Sequence, residues 1–558
     1  MSVTASQYAQ FILEKHFGPS ATIVTRLMRI KGPVILLEIL RDCSFLGVPI
    51  VARCLRSMLR HMAVIIKEQN IIRYELNYPC IFSIPRYPYF CQLVLHFYGP
   101  IAEEIISLSF ILGRTTVFDL FKHCISRHSS SNSEMEHHKY VDLLCASFDT
   151  LMRTGVALVS KPGSSTTTEN NRADTGTVLS GVCEWPFSKE AFSEEVHRLV
   201  SVGFENISKN AGDDAPESKR RRVSADLDPS TKAPWNMAIM PHLPTLEAMW
   251  RDRLIFNLAE DRLGTACADI LSRLLCIATA ARRNTEVNSH ESGAVSRSEL
   301  MRSLRDQTSY FDSHIALLKD DEVPFIVQEP GLGGYMYKCP YQRVIKELLI
   351  KHAEHVVQVL FLSSGLRIFR LLLSSGPLHY EEIERRVLLP QKDFRRTLPK
   401  MIAEGFISTT ELSRTKEYTA ETIFCLYSVN LPRIAHLLVE LAQHTALRVG
   451  LRGIQEFDQK ERLVEQRYRV ETLIKRHQSK LCELKAQLNE LAEDESLTNL
   501  MNQQKESLDA LKSSVTPAEQ QQTKSLVSKM AKLVICEHEA HTTWFVADLY
   551  LRLQVNSG

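Results

Sequence analysis

Two pairs of side chains have the chemistry and the spacing to hold part of a metal site. His352 and His355 are three residues apart, and Glu537 and His541 are four apart, so each pair falls on one face of a helix. A protein metal site needs a third ligand, and no further cluster of ligating residues accompanies either pair. The chain also contains no Walker A, GxGxxG, HExxH or GxSxG motif. The sequence therefore predicts no catalytic residue, no metal and no cofactor.

A glycine-containing stretch, "VPFIVQEPGLGGYMYKC", has the composition of a phosphate-binding loop. Such a loop requires a following lysine and a Ser/Thr hydroxyl, which are missing here. Strand-like runs flank the glycines on both sides. The pattern therefore predicts the turn of a β-hairpin rather than a nucleotide site.

Basic side chains recur at helical spacing in two places. Such stripes neutralise phosphates without reading a base sequence, so they are candidate contacts to the DNA backbone. Contacts to neighbouring proteins, or simple exposure to solvent, are the alternatives. The candidate residues are Arg53, Arg56 and Arg60 in the first stripe, and Lys392, Arg395, Arg396 and Lys400 in the second.

The composition limits the class of protein. The chain has 558 residues, of which 44% are hydrophobic and 24% charged, which predicts several globular domains. Its net charge is only +2, so any nucleic-acid binding must come from local patches. The 13 cysteines form no CxxC motif, which favours a reducing compartment. The first residues are typical of an amphipathic helix rather than a signal peptide.

Residues 51–77 show how the elements are organised. Val51, Leu55, Met58 and Met62 form an apolar stripe on the 3.6-residue period of a helix. The runs "AVIIKE" and "IIRYEL" follow, separated by the polar pair Gln69–Asn70, and predict a hairpin. Helices followed by a hairpin are the order of a winged-helix domain, in which the helix before the wing enters the DNA groove.

The same order recurs four times. The fold prediction is mainly α with small β wings, as four tandem winged-helix domains followed by an antiparallel coiled-coil hairpin. In the second domain the return strand is predicted at "TGTVLSGV", 175–182. The predicted boundaries are 1–84, 85–202 with a polar insertion near 160–176, a charged linker at 203–234, 235–340, 341–450, and the coiled coil at 451–558.

The corresponding helices of the second and third domains are acidic. An acidic helix repels phosphates, so these two domains are expected to bind protein. Their acids are Asp142 and Asp149 in one, and Asp312, Asp320 and Asp321 in the other. In the linker, the cluster Lys219, Arg220, Arg221 and Arg222 is a candidate nuclear localisation signal, or else a solvated charge run.

Two heptad seams end the chain. A polar connector between them predicts a folded-back hairpin, with a parallel homodimer as the alternative. Such a rod would dock on another protein or staple the chain's own domains. The seam residues are Leu463, Val470, Ile474, Leu481, Leu484, Leu488 and Leu491, then Leu526, Met530, Leu533, Trp544 and Leu551, with Arg467 and His477 interrupting the first seam.

Several local sequences resemble one known family. The stretches "IPRYPYF", "LGGYMYKC", "RIFRLLL" and "FCLYSVN" with "PRIAHLLVELAQH" are similar to the winged-helix subunit of RNA polymerase III, the largest member of that enzyme's initiation heterotrimer. The resemblance extends over essentially the whole chain. The Thr- and Asn-rich insertion departs from it.

The resemblance implies a non-catalytic, nuclear subunit. Its expected partners are two other subunits of the heterotrimer, the clamp of the largest polymerase subunit, a promoter-bound factor, and single-stranded or melted DNA. Its expected role is promoter recruitment and duplex opening at genes for transfer RNA and other small RNAs. No membrane association and no homo-oligomer are expected. The alternatives are a helical scaffold subunit of a proteasome-lid-like assembly, which would carry one winged helix, and a free-standing transcription factor.

Overall fold

The fold is mainly helical with small antiparallel sheets, as the sequence predicts. The computed structural model describes residues 3–68, 71–128, 134–160, 192, 196, 237–281, 289–304, 310–331, 334–413, 423–490, 495–513 and 516–555. Four three-stranded sheets lie in these residues, and all four have the same strand order. In each, the last strand is central and pairs with a short first strand on one side and with its hairpin partner on the other.

The first region, residues 19–76, follows helix α1 (Val3–Phe17). Its predicted hairpin is confirmed, with Val64 opposite Leu76 and Lys67 opposite Arg73. Its elements are α2 (Pro19–Lys31), β1 (Val34–Ile35), α3 (Leu36–Asp42), α4 (Val48–Arg60), β2 (Val64–Glu68) and β3 (Ile72–Leu76).

The second region is closed by a strand from much later in the chain. The strand at 238–241 pairs with that at 157–160 in antiparallel register, and Leu158 lies opposite Met240. The return strand predicted at 175–182 lies outside the described residues, as do the polar insertion and most of the linker. The elements are α5 (Tyr78–Ser83), α6 (Tyr87–Tyr98), α7 (Pro100–Leu112), β4 (Thr115–Thr116), α8 (Val117–His128), α9 (Glu134–Arg153), β5 (Ala157–Ser160) and β6 (Ala238–Pro241).

The third region begins with two long helices and ends in the glycine-containing hairpin. Gly331 lies opposite Gly334 at the tip, so the glycines form the hairpin turn, as predicted. The elements are α10 (Leu243–Leu263), α11 (Thr265–Ala281), β7 (Val295–Ser296), α12 (Arg297–Ser303), α13 (Phe311–Asp320), β8 (Val327–Gly331) and β9 (Gly334–Lys338).

Helix α14 (Tyr341–Ser375) is folded into two segments at Leu362, which has φ +59°. Arg370 and Glu354, 16 positions apart, form a bidentate pair at 2.7–2.8 Å, although a straight helix would separate their backbones by about 24 Å. Among the described residues this is the one helix that is long and apolar enough to cross a membrane.

The fourth region, residues 353–429, contains the second part of α14 and a sheet of the same order. Its predicted hairpin is confirmed, with Thr410 opposite Leu426. Its further elements are β10 (Leu378–His379), α15 (Tyr380–Val387), α16 (Gln391–Ala403), β11 (Ser408–Ser413) and β12 (Ile423–Ser428).

The C-terminal helices differ from the prediction. The connector between the two seams was predicted as a polar link, but it contains a helix, and this helix packs against the helix of the first seam. Nδ1 of His477 donates to the amide oxygen of Gln504 at 2.7 Å, across the pair. The elements are α17 (Leu431–Asp458), α18 (Glu461–Glu490), α19 (Glu495–Ser513) and α20 (Pro517–Val555).

The described residues divide into two compact units. The first contains those from Ala9 to Leu438 and from Val546 onward. In it, the largely buried carboxylate of Glu247 lies 3.9 Å from a guanidinium nitrogen of Arg86 and 3.7 Å from one of Arg552. The last helical turns of the chain therefore belong to the core of this unit.

The second unit contains residues 3–8 and those from Val439 to Phe545. The ring of His541 is buried, lies 2.9 Å from the Tyr8 hydroxyl and stacks on Trp544. Glu456 of α17 is paired with Lys529 of α20 at 3.2 Å. Within this unit, α20 thus contacts α1 and α17.

Candidate nucleic-acid and partner interfaces

Helix α4 places the first basic stripe on its outer face. It starts after Gly47, with Pro49 in its first turn, where the missing N–H is not needed. Val51, Leu55 and Met58 are buried, as predicted. At about 100° per residue, the three arginines fall on the opposite face, and all are exposed. None of Arg53, Arg56 and Arg60 forms an ion pair with another described residue.

The predicted fourth member of the apolar stripe, Met62, is not part of the helix. Helix α4 ends at Arg60, and Met62 has φ +58°. The amide of Ala63 donates to the carbonyl of Met58 at 2.9 Å, which closes the helix end and turns the chain into β2. Gly155 and Gly405 occupy the same position in the second and fourth regions, with φ +73° and +87°. Met62 therefore stands where the second and fourth regions have glycine.

The hairpin beside α4 has an apolar face that continues beyond the core. Opposite residues of an antiparallel pair share a face, so the pairs Val64–Leu76 and Ile66–Tyr74 lie on one side with Ile72. Val64 and Leu76 are buried at the base, whereas Ile66 is 41% and Ile72 50% exposed. The first region thus presents aliphatic side chains next to its arginines.

Helix α16 carries the second stripe. Phe394, Leu398 and Met401 are buried. All four basic candidates are exposed: Lys392, Arg395, Arg396 and Lys400. Their spread around the helix is wider than that of the arginines on α4, and exposed Asp393 lies between them. The fourth region thus also presents a basic helix, but one that carries an acid.

The total charge of the two regions differs. Residues 19–77 contain nine Lys and Arg against four Asp and Glu, which gives +5. Residues 353–429 contain ten against nine, which gives +1. A chain of net charge +2 therefore concentrates positive charge in its first region.

The acidic helices of the second and third regions use several of their acids within the protein. Asp149 on α9 is buried and pairs with Arg153 at 2.8 Å. Asp312 at the start of α13 pairs with Arg297 at 2.9 Å. Asp321, just after α13, accepts from Arg262 at 2.9 Å. The exposed acids Asp142 and Asp320 complete the predicted set.

The seam residues lie on helices α18 and α20. On α18, Leu463, Val470, Ile474 and Leu481 are half-buried, Leu484 and Leu488 lie near its end, and Leu491 falls outside the described residues. On α20, Leu526 and Trp544 are buried, and Met530, Leu533 and Leu551 are half-buried. The candidate localisation cluster, Lys219–Arg222, lies outside the described part of the chain.

The candidate metal pairs do not extend to a metal site in the described residues, where no group of three or more His, Cys, Asp or Glu could hold an ion. Burial lowers the pKa of His352 to about 4, which keeps its ring neutral. Burial also lowers the pKa of His242 to about 4; its Nδ1 lies 2.7 Å from the Thr245 hydroxyl at the start of α10. These histidines have the environment of packed side chains.

Comparison with known proteins gives two kinds of match: a family model matches part of the chain, and curated relatives match nearly all of it. The family model described as "POLR3C, C-terminal winged-helix domain" matches residues 353–429, the fourth region. The chain is 24% identical to DNA-directed RNA polymerase III subunit RPC3 of Bos taurus and of Homo sapiens, and 23% identical to that of Danio rerio. Each of the first two alignments covers 99% of both chains, and the third covers 97%.

The predicted resemblance is confirmed. The chain resembles RPC3 subunits of RNA polymerase III over its whole length, and its fourth region is a winged-helix domain. A proteasome-lid-like scaffold would have one hairpin unit after a helical solenoid, whereas four sheets of one topology lie along this chain.

Sequence reasoning missed the junction between the first two regions. The amide of Arg114, at the start of the second region, donates to the carbonyl of Arg60 at 2.8 Å. A usable signal was present: a glycine precedes the short first strand of every sheet by two residues, at Gly32, Gly113, Gly293 and Gly376. This repeat marks the start of each sheet, so it also identifies Gly113 at the start of the second one.

Proposed function

We propose that the protein is a non-catalytic subunit of DNA-directed RNA polymerase III that acts in transcription initiation. The observation that carries the proposal is the alignment with RPC3 subunits over 99% of both chains. Four sheets of identical strand order support the further proposal that the chain is built of four tandem winged-helix domains. The proposed site of action is the nucleus.

The proposed partners follow from the same resemblance. They are the two other subunits of the initiation heterotrimer, the clamp of the largest polymerase subunit, the promoter-bound factor, and melted DNA. The packed pair α18–α19 is proposed to dock along helices of the clamp. This is supported by the exposed side chains that the pair retains, among them Tyr468 at 71% and Leu473 at 42%.

The two basic helices are proposed to contact the DNA backbone. Arg53, Arg56 and Arg60 support this most strongly, because they form no ion pair with described residues and lie in a region of net charge +5. Lys392, Arg395, Arg396 and Lys400 are proposed as a second, weaker contact. Lysine and arginine bind phosphates regardless of base sequence, so this contact would hold DNA rather than select a promoter.

The direct test is affinity purification of the tagged full-length chain, with mass spectrometry of what accompanies it. RNA polymerase III subunits are expected in amounts comparable to the chain itself. A matched sample that contains the tag alone controls for binding to the tag. Recovery of a proteasome-lid-like assembly, or of the chain without polymerase subunits, would contradict the proposal.

A further inference from the structure

The end of the first basic helix is in backbone contact with the start of the second sheet. The N–H of Arg114 donates to the carbonyl oxygen of Arg60 at 2.8 Å. A Cβ on Gly113 would lie 2.8 Å from that oxygen and 3.0 Å from Cγ of Arg60. The approach therefore leaves no room for a side chain at position 113, where φ is also +71°.

Equivalent glycines show that this close approach is a property of the junction and not of the fold. Gly32 and Gly376 stand two residues before the short strands of the first and fourth sheets, with φ +78° and +76°. A Cβ at either would meet nothing within 4 Å. At Gly293, the remaining equivalent, a Cβ would lie 3.3 Å from the carbonyl oxygen of Ala278, but this glycine has no positive φ. Gly113 therefore has the closest approach of the four glycines and combines it with a positive φ.

The contact brings a fourth arginine to the stripe. Arg114 is half-buried and adjacent to Arg60, and burial lowers the pKa of its guanidinium. Burial is the cause of this shift, and a phosphate beside the half-buried guanidinium would offset the cost of burying its charge. The backbone contact therefore places a fourth arginine next to the end of the stripe.

We propose that Arg114 extends the phosphate-binding face of Arg53, Arg56 and Arg60 onto the second region, and that Gly113 holds the two parts in position. The partner is a nucleic-acid backbone, so the inference rests on the proposed function and adds one binding residue and one positioning residue to it. The bound strand would cross the junction between the first two sheets.

The test of Arg114 is a salt series of binding measurements. The full-length chain is titrated against a fluorescent duplex with an unpaired bubble, and the slope of log affinity against log salt is compared among variants. Arg114→Glu is expected to reduce the slope by about 0.7–0.9, the contribution of one phosphate contact. Its control is Arg127→Glu, which makes the same charge change at an exposed site of the same region.

The test of Gly113 uses matched backbone variants. Gly113→Ala and Gly376→Ala introduce the same φ strain, but only the first pushes on Arg60. Gly113→Ala is expected to weaken bubble binding several-fold and to speed hydrogen exchange of the Arg114 amide, whereas Gly376→Ala changes neither. Equal behaviour of this pair would overturn the positioning role.

The outcomes separate this inference from the proposed function. If charge reversal of Arg53, Arg56 and Arg60 leaves binding unchanged, the proposed DNA contact itself fails. If that variant weakens binding while Arg114→Glu matches Arg127→Glu, the contact stands and its extension to Arg114 is wrong.

Discussion

The first and fourth regions share a basic helix followed by a hairpin, but the charges around that helix differ. In each, a short helix buries one apolar face and exposes a set of cations before the chain turns into a hairpin. The outward face of α4 holds arginines alone among its charged residues, in a region of +5. The outward face of α16 includes Asp393, in a region of +1.

The hairpins extend this contrast. In the first region, the face that continues the core carries Ile66 and Ile72. In the fourth, the face that holds buried Ile407 carries Thr409 and Glu411 on β11, with half-buried Tyr427 and Cys425 opposite them. The first hairpin therefore exposes more aliphatic area beside its arginines, and apolar and cationic side chains together are typical of a surface that makes a mixed contact.

The comparison shows that the number of cations on the helix alone is a poor guide to how strongly such a region attracts an anion, because the surrounding charge also contributes. By the number of basic side chains alone, α16 would be expected to bind anions more strongly than α4, with four against three. The surrounding charge and the hairpin favour α4. We therefore expect the first region to contribute more to anion binding than the fourth.

The largest expected difference between the two regions comes from a substitution in the buried face of α16. Phe394→Ala is expected to destabilise the fourth region by about 3–5 kcal/mol, because the fully buried ring leaves a cavity. Native-state hydrogen exchange would show faster opening of β11 and β12 and unchanged exchange in β2 and β3. Leu412→Ala, at a 41% exposed site of the same hairpin, should have little effect; equal losses would contradict this account of the core.

Charge reversal compares the two stripes directly. Changing Arg53, Arg56 and Arg60 to glutamate is expected to weaken binding to bubble DNA on the order of 100-fold at physiological salt and to flatten the salt dependence of promoter opening. The same change at Lys392, Arg395, Arg396 and Lys400 is expected to weaken it roughly tenfold, because nearby acids already offset those cations. A larger loss from the fourth region would reverse the comparison, and unchanged promoter opening in both would remove the DNA contact.

The helix ends offer a matched pair of smaller changes. Gly405→Ala is expected to destabilise the fourth hairpin by about 1 kcal/mol, since alanine disfavours φ +87° while its Cβ would make only ordinary van der Waals contacts, at 3.8 Å to Arg433 and 3.9 Å to Leu437. Met62→Gly is expected to stabilise the first hairpin by about 0.5 kcal/mol, because relief of strain exceeds the added entropy of the unfolded chain. Exchange of the hairpin amides measures both. A loss of stability in Met62→Gly would mean that side-chain packing outweighs the backbone strain.

Lowering the pH is expected to give the smallest difference in stability between the two regions, with the first region losing more. Burial, and then the charges of Lys15 and Arg60 respectively, lower the pKa of His16 and His61 below 6.5. The folded state therefore resists protonation, and stability that is complete above pH 6.5 is lost as the pH falls below it. Hydrogen exchange, corrected for its intrinsic pH dependence, should show β2 and β3 opening more at pH 5.5 than at pH 7.5. His61→Gln should reduce the change, and residues 391–428, which contain no histidine, should show none from this source.

The sequence predicted most of what lies around these two helices. Alternating and β-branched residues predicted three hairpins, and the helical period predicted the buried face of α4. Two-residue strands such as Val34–Ile35 are too short to show a period, so the short first strand of each sheet was not predicted. The pairing of β5 with β6 was missed because local patterns cannot show a contact across so long a separation.

Helix α19 could have been found. Leu497, Met501, Gln504, Leu508 and Leu511 fall at spacings of four, three, four and three, the same heptad rhythm as the first seam. The polar composition of the stretch hid this stripe. The partner of His477 in that seam is the polar member of the hidden stripe, Gln504.

The position of Glu247 between Arg86 and Arg552 has a consequence for biosynthesis. Its carboxylate is paired with a guanidinium that is synthesised much later than α10 itself. Until Arg552 has been added, the start of α10 lacks one of the charges around a carboxylate that burial disfavours in its ionised form. The N-terminal half of a nascent chain therefore cannot complete this part of its core before Arg552 is made, and a chain that terminates before Arg552 would leave this site unfinished.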